Sequence, residues 1–490
     1  MKRYLTLIAV LTIAYISQAQ NLTAKIIDAT TKEPIPFVAV QTAKYKGVIS
    51  NDDGIFIINI EDTSSNQITL SCLGYNTLTV SIDDLKASNF LLMLQPATNE
   101  LDTIYLSNTR PNVDSIVAKV NRNLVKNYRT DSLKYSFFYR ETSYIDFKNL
   151  DFEVKKASHF KKRQLVDAND NLRRMSDEIM TSNYVNFTDI TGDLLILNPK
   201  KKKLTVEKAT KIVNSKKDFS IDKVQEKAQN IVLKYLDTTK TYKLKTGLFK
   251  IEDSLSLVEK DSDKGKNEFE LKNLKSRSAS LLSQLGSNGI LKTILNTDDY
   301  EYTLENITFN KGEMIYSILF EPRRSRAKFT GRIYVSDDTY AILKLDYRYS
   351  EGKRGDKLNL RLILGVKYIE NVNQGTIIYR ENDLGFYEPR YIKSESGEYF
   401  YVHRPLKFIE NSSERNKTAF DFKIEGNTKG REELLLSSVT EISASDFEAA
   451  SEAKKVPYES LRKYDATIWT GKETLAPTNE LKMFEVKDEE

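Results

Sequence analysis

Between Ala24 and Ser81 the chain never runs far without a turn. Lys25-Ile26-Ile27 precedes Asp28–Lys32, and Phe37–Val40 follows Glu33-Pro34-Ile35-Pro36. Gly47-Val48-Ile49 leads into Ser50-Asn51-Asp52-Asp53-Gly54, then Ile55–Ile60, then Ile68–Cys72. Apolar runs of three to six residues, cut every eight to twelve, predict a small antiparallel β-sandwich. Asp53-Gly54 suits a tight connection in it, because glycine tolerates positive φ.

Glu33-Pro34-Ile35-Pro36, Gly47 with Asn51-Asp52-Asp53-Gly54-Ile55-Phe56, and Ser71-Cys72-Leu73-Gly74-Tyr75 together resemble the carboxypeptidase-D regulatory-like domain. The resemblance covers roughly residues 22–95. It implies a transthyretin-like β-sandwich, a module common at the front of Bacteroidetes envelope proteins, TonB-dependent receptors among them. Cys72 stands where that motif usually has an aromatic or aliphatic residue. The family's module carries no catalytic residues, so the resemblance implies architecture and compartment and no reaction.

Ahead of this stretch, Lys2 and Arg3 precede an apolar Tyr4–Ile16, and Ser17-Gln18-Ala19 puts small residues at the −3 and −1 positions. Met1–Ala19 therefore reads as a secretory signal cleaved before Gln20, its apolar run too short for a comfortable membrane span. No cysteine stands near that site to carry a lipid anchor. Losing Lys2 and Arg3 takes the formal charge from +5 to +3 (5 − 2), near neutral for this length. Bulk charge then names no partner, and no nucleic acid is expected. No second long apolar run follows, so no transmembrane helix is expected after cleavage. The single cysteine, Cys72, forms no intramolecular disulfide and reads as a buried, inert thiol.

Leu94–Pro111 is broken by Pro96, Asn99, Asn108 and Pro111 and reads as a connector. Asn112 is a candidate N-cap for a helix to about Asn127, with Val113, Ile116, Val117, Val120 and Leu124 on one face. A strand at Tyr135–Thr142 follows. Val113–Asn127 with Phe137-Phe138-Tyr139-Arg140-Glu141 resembles the segment after the regulatory-like module in uncharacterised Bacteroidetes envelope proteins, and implies no activity. Further strands are expected near Phe152–Ala157 and Val185–Ile190. Thr205 can cap a helix carrying Val206, Ala209, Ile212 and Val213. Ser220 can cap another with Ile221, Val224, Ala228, Ile231, Val232 and Tyr235. Glu259–Arg277 is highly charged and reads as an excursion. Leu271, Leu274, Leu281, Leu282 and Leu285 predict one more amphipathic helix, ending near Gly286.

From Tyr300 the apolar period changes to two. Met314, Tyr316, Ile318 and Phe320 alternate with polar or smaller neighbours. So do Ile333 with Val335, Leu343 with Leu345 and Tyr347, and Phe420 with Phe422 and Ile424. Leu358, Leu360, Leu362, Leu364, Val366 and Tyr368 extend the alternation over eleven residues. About ten antiparallel strands in a meander are expected between 299 and 442. Gly331–Val335 followed by Tyr340–Leu345 resembles strand pairs in lipoprotein-carrier-like half-barrels of the bacterial envelope. A transmembrane barrel is the rival, but Lys344, Asp346, Arg348 and Arg361 crowd both strand faces with charge. The helices at 206–235 and 267–285 are expected on one face of this sheet, either leaving an apolar groove where their cover is incomplete or sealing the face without one. Tyr458, Leu461, Tyr464, Ile468, Trp469, Leu481 and Phe484 mark a tail that packs along the sheet.

Familiar catalytic chemistry is missing. A zinc peptidase needs closely spaced His and Glu ligands, and the two histidines, His159 and His403, open neither H-x-x-E nor H-E-x-x-H. No nucleophile elbow, phosphate loop or dinucleotide fingerprint occurs. We therefore expect no catalytic, cofactor-binding or metal-ligating residues and no enzyme activity. A two-carboxylate glycan hydrolase stays open as an alternative among the 69 acidic residues. Arg323, Arg324, Arg326 and Lys328 are the candidate anion contact, weighed against a solvated hairpin end. The Lys200–Lys203 run is weighed the same way. Asp-(Ser/Thr) triplets starting at Asp102, Asp114, Asp131, Asp237 and Asp253 resemble a Bacteroidetes O-glycosylation pattern. Thr103 is the best-placed acceptor because it lies in the connector.

The expected organisation is a signal at 1–19, the sandwich at 20–95, a linker at 96–111, a mixed helix and strand region at 112–298, a β-meander at 299–445 and a packing tail at 446–490. The fold class is mainly β, α+β overall. The transthyretin-like sandwich is followed by a large antiparallel sheet that is a half-barrel, a sandwich or a membrane barrel. The expected function is a non-enzymatic envelope binding or assembly protein, exported to the periplasm or outer membrane, with an envelope protein or glycan as partner. The alternatives are a carrier of a hydrophobic or lipid-like ligand, the glycan hydrolase, and a small outer-membrane barrel.

Overall fold

The computed structural model describes residues 21–44, 46–60, 63, 66–97, 111–129, 132–158, 161–182, 184–212, 220–233, 236–237, 239–246, 249–256, 267–285, 289–310, 312–382 and 384–486. The signal segment, most of the connector with Thr103, His159, Val213, Tyr235 and Gly286 lie outside the described residues.

The first stretch forms two facing sheets. One orders Ile55–Asn59, Asn21–Asp28 and Leu91–Leu94; the other orders Lys46–Ile49, Ala39–Ala43, Gln67–Ser71 and Leu78–Ser81. Burial alternates along Ile55–Asn59, so Phe56 and Ile58 point inward. They meet Ile26, Val38, Val40, Ile68, Leu70 and Leu94 in a core built within the module. One expectation is corrected. The sandwich is not wholly antiparallel, because Leu91–Leu94 runs parallel to Asn21–Asp28. A parallel neighbour needs a crossover, and residues 29–90 make it, passing through the second sheet and the short helix Ile82–Ala87, capped by Ser81.

Among the described residues the second body is one sheet of 14 strands, not closed into a barrel. Its main path orders Tyr300–Asn310, Glu313–Pro322, Phe329–Ser336, Ile342–Tyr349, Val366–Glu381, Tyr387–Glu410 and Lys417–Glu441. It then returns to Leu133–Ala157, Tyr184–Asn198 and Lys201–Ile212, with Glu459–Leu461 at the far edge. The sheet thus reaches beyond 299–445 on the N-terminal side, and 299–442 holds eight strands among the described residues.

Four sequence expectations give way here. Tyr135–Thr142 and Phe152–Ala157 belong to one strand of 25 residues. Lys162–Met180 is a helix with no counterpart in the reading above. Residues 205–212 are strand, not helix. A β-bulge at Glu207 brings Val206 and Ala209 to one face, and Ile212 is buried on the other under Leu481. The run from Leu358 to Tyr368 is a hairpin, with Arg361–Leu364 forming a helical turn between two strands.

Even-numbered positions of Lys417–Glu441 face the helices as far as Leu436, where a bulge at Ser437 reverses the alternation and turns Val439 to that side. Leu434 and Leu436 join Ile116, Val117, Val120, Leu271, Leu274, Leu291 and Ile294 in the largest core. Phe420 and Ile424 join Ala168, Leu172, Ile179, Val224 and Ala228 in a second. Asn112 caps Val113–Asn127, its side chain accepting from Ser115 N at 3.0 Å. The helices thereby spend their apolar stripes on the sheet, each fully buried Leu or Ile worth about 1.5–3 kcal/mol. Odd-numbered Leu435 faces the other way, with Phe138, Tyr391, Trp469, Leu475 and Ile49 of the sandwich. The N-terminal module and the tail from Tyr464 to Leu475 therefore share the opposite face, whereas Val456 and Tyr458 pack on the helix side. Among the described residues no helix is long and apolar enough to cross a membrane.

Candidate functional site

Side chains directly opposite one another in paired strands share a face. Arg332, Asp346, Thr376, Lys393, Glu433, Arg140, Asp189 and Thr210 are opposite in eight successive strands. They draw a row across the sheet in which basic and acidic groups nearly alternate. Two residues along the strands runs a second row, Thr330, Arg348, Gln374, Glu395, Arg431 and Thr142. Both lie on the module's side of the sheet.

The Ser50–Gly54 turn of the module sits on the middle of these rows. Asn51 shapes the turn, its Oδ1 accepting from Asp53 N at 3.0 Å and Ile55 N at 2.9 Å. Its Nδ2 donates outward to Pro477 O at 3.1 Å. Asp52 meets Lys393 Nζ at 2.8 Å and Arg431 Nη1 at 3.3 Å. Asp53 accepts from Asn479 N at 3.0 Å. Phe37 packs 5.3 Å from the Tyr391 ring. Beside the turn, Arg390 donates to Gly47 O and pairs with Glu473 at 3.1 Å.

The tail covers the next part of the first row. Arg140 holds Asp189 with two bonds, of 2.8 and 2.7 Å, and donates to Ala476 O at 3.0 Å. Such a buried charge pair is tolerable only because its donors and acceptors are matched. Burial pushes the Glu433 carboxyl above its ordinary range, against the pull of Arg140 and the Tyr391 hydroxyl. Burial works the same way on Glu395, but Gln374, Lys393 and Arg431 together outweigh it and hold this carboxyl low.

The other end of both rows is open. A recess of about 430 Å³ is lined there by Glu321, Arg332, Asp346, Arg348, Gln374 and Thr376, with Lys393 and Glu395 at its inner wall. Asp346 is engaged by Lys344 at 3.0 Å and by the Thr376 hydroxyl at 2.7 Å. Arg332 reaches Glu305, and Arg348 is exposed. Fixed donors and acceptors on a flat floor suit a hydroxyl-rich or polar ligand. Of the two expectations for the helix face, an apolar groove or a sealed surface, neither concerns this side of the sheet. The helices pack their apolar stripes into the cores, and this recess is polar.

The candidate anion contacts singled out from sequence lie elsewhere. Arg323, Arg324 and Arg326 are exposed on the hairpin end before Phe329–Ser336, and Lys328 is half-buried there. Arg326 pairs with Asp299 at 2.6 Å. Of the lysine run, Lys201–Lys203 begins a strand, and Lys203 Nζ donates to Phe447 O at 2.8 Å and Ala450 O at 2.9 Å, capping the helix Ala444–Ala449. Lys200 and Lys202 line a polar cavity on the helix side with Lys272 and Lys275. His403 is 3.0 Å from Asp421. No group of three or more His, Cys, Asp or Glu able to hold a metal occurs among the described residues. One acid pair is Glu141 opposite Glu432, bridged by Arg277 and touched by the Tyr139 hydroxyl. Neither acid lines the recess.

Sequence reading missed the two rows because each strand contributes one or two residues to them. The usable signal was the charge on Lys344, Asp346 and Arg348 in strands otherwise patterned for a core.

Two family models match parts of the chain. Residues 296–385 match a family of unknown function (DUF5686), which includes the strands carrying Arg332, Asp346 and Thr376. No curated protein matches the chain. Residues 22–106 match the CarboxypepD_reg-like domain, and the sandwich that holds Asp52 against the sheet is therefore a domain of that family.

Proposed function

We propose that this chain is an exported, non-enzymatic binding or assembly protein of the cell envelope. Its regulatory-like domain is latched onto its own sheet, and the open end of the polar rows receives the partner. The observation that carries this reading is the recess beside the latch, walled by Lys393 and Glu395, which also hold the docked turn or its neighbour Arg431. A hydroxyl-rich envelope glycan, or a polar loop of an envelope protein, fits donors and acceptors so arranged. The signal-like Met1–Ala19 supports export. Against the hydrolase alternative stand the ion pairs of two recess acids, Asp346 with Lys344 and Glu395 with Lys393 and Arg431, since a general acid must be protonated.

The test is photo-crosslinking in the native envelope from a probe at Arg348, with a second probe at the distant exposed Val125. A glycan or protein captured from Arg348 and not from Val125, and lost in Asp346→Ala with Gln374→Ala, supports the reading. Equal capture from both positions removes it. Turnover of an envelope glycan by the purified chain would replace it with the hydrolase.

A further inference from the structure

We infer that the hairpin tip around Leu358–Leu364 is a lipid-contacting element that places apolar side chains into an anionic membrane surface. Lys357–Leu360 pairs with the start of Val366–Glu381, and Arg361–Leu364 forms one helical turn between them. Gly365 ends the turn at φ 64, and His403 N donates to its carbonyl at 2.8 Å. The turn is thus tied to the neighbouring strand and held in place. On it, Leu358 is 46 %, Ile363 75 % and Leu362 100 % exposed. Single exposed apolar residues need no explanation, but three on one tied tip do.

The surroundings select the occupant. From Lys353 to Lys367 five basic residues accompany one acid, Asp356. Arg354, Lys357 and Arg361 are exposed. Arg361 lies 4.3 Å over the Tyr401 ring, and Lys367 5.2 Å from the Tyr399 ring. Arg361 shares the turn with Leu362 and Ile363, Leu358 stands just below opposite Tyr368, and Tyr399 and Tyr401 lie on the adjoining strand. Aliphatic and basic side chains on one tip, with tyrosines beneath, suit a bilayer interface, where acyl chains take the first and phosphodiesters the second. Glu370, Glu398 and Glu425 nearby are half-buried and accept from the hydroxyls of Tyr349, Tyr368 and Tyr399, so the exposed charge of residues 353–367 is mainly basic and favours anionic headgroups. This contact is separate from the recess and does not depend on what the recess binds.

The test uses the mature full-length chain and vesicles of phosphatidylcholine, with and without phosphatidylglycerol. We expect co-sedimentation with the phosphatidylglycerol vesicles, weakened several-fold by high salt. Leu362→Asp with Ile363→Asp should weaken it by roughly tenfold or more. The melting temperature should not move, because these side chains are exposed and pack on little. Leu362→Trp, placed in a Trp469→Phe background, should shift its emission to the blue on the same vesicles. Equal binding by the double variant, or no binding to either vesicle, overturns the proposal. Self-association of the wild-type chain that the double variant loses would also overturn it, and would assign the tip to a second copy.

Discussion

Asp52 presents both carboxylate oxygens at 2.8 Å to the ammonium of Lys393, although the two residues are 341 positions apart. Lys393 is 14 % and Asp52 30 % exposed at the side chain, so the pair is partly screened from water. Removing one partner leaves the other partly buried and short of a bond, which costs about 1–3 kcal/mol. We expect Asp52→Ala to loosen the module by that amount without unfolding the sheet. Hydrogen exchange should rise at Asn51–Gly54 and Pro477–Asn479 together. A double-mutant cycle with Lys393→Ala should return part of the single-mutant cost, the rest belonging to Arg431. A coupling near zero would mean that Arg431, Phe37 and Asn51 hold the module without Lys393.

Trp469 is the only tryptophan, and it is 4 % exposed. Its ring meets Phe138 edge-on at 5.5 Å. It joins Leu475, Leu435, Tyr391 and Ile49 in one cluster, so sheet, tail and module converge there. Trp469→Ala should cost about 3–5 kcal/mol, through lost burial and the cavity left behind. Trp469→Phe should cost clearly less. Calorimetry of the two variants decides whether this cluster anchors the tail. Similar, small losses for both would show that it does not.

The elements read correctly from sequence are those whose pattern is local. Asn112 caps a helix whose apolar positions are evenly spaced, and Leu271, Leu274, Leu281 and Leu282 do the same for another. Val206 and Ala209 misled because a bulge mimics a spacing of three, and nothing within the strand reveals a bulge. Lys162–Met180 is different, since its signal was present. Leu165, Ala168, Leu172, Met175 and Ile179 sit three and four apart, and a heavily charged surrounding obscured them. Leu358–Tyr368 alternates like a strand, yet a four-residue helical turn and Gly365 interrupt it. The polar rows were beyond a linear reading. Their register is set by strands between residues 133 and 441, which no local periodicity encodes.

The module's core is built almost wholly from its own residues, so residues 22–97 should fold alone with a cooperative, modest transition. Two glycines should then respond differently to valine. Gly54 has φ +71, and an added Cβ would lie 2.4 Å from the carbonyl oxygen of Ile26. Gly74 has φ +86 but open space around that position. Gly54→Val meets both backbone strain and a backbone clash and should leave the segment unfolded by circular dichroism. Gly74→Val meets strain alone, about 1–3 kcal/mol, and should leave a weakened but folded domain. The reverse order of stability would contradict the docked geometry of the turn.

Glu395 and Glu433 flank Lys393 and shift in opposite directions, so they imprint opposite pH dependences. Folding lowers the Glu395 carboxyl below its ordinary value of 4.5, burial being outweighed by Gln374, Lys393 and Arg431. A carboxyl lowered by folding adds stability that is complete above the unfolded value and is lost as pH falls through the folded one. Burial raises the Glu433 carboxyl above 4.5, with Arg140 and Tyr391 opposing. Its relative stability is complete below the unfolded value and is lost as pH rises through the folded one. Glu395→Gln should therefore lower the melting temperature at neutral pH, and the gap from wild type should close toward acid. Glu433→Gln retains an acceptor for the Tyr391 hydroxyl, which donates to Glu433 Oε1 at 2.8 Å. It should hold or raise the melting temperature at neutral pH, and this difference should also vanish toward acid. Scanning calorimetry from roughly pH 3 to 7 measures both gaps. A Glu433→Gln variant that is less stable at neutral pH, with a gap that widens as pH rises, would show that Glu433 acts as a charged partner of Arg140.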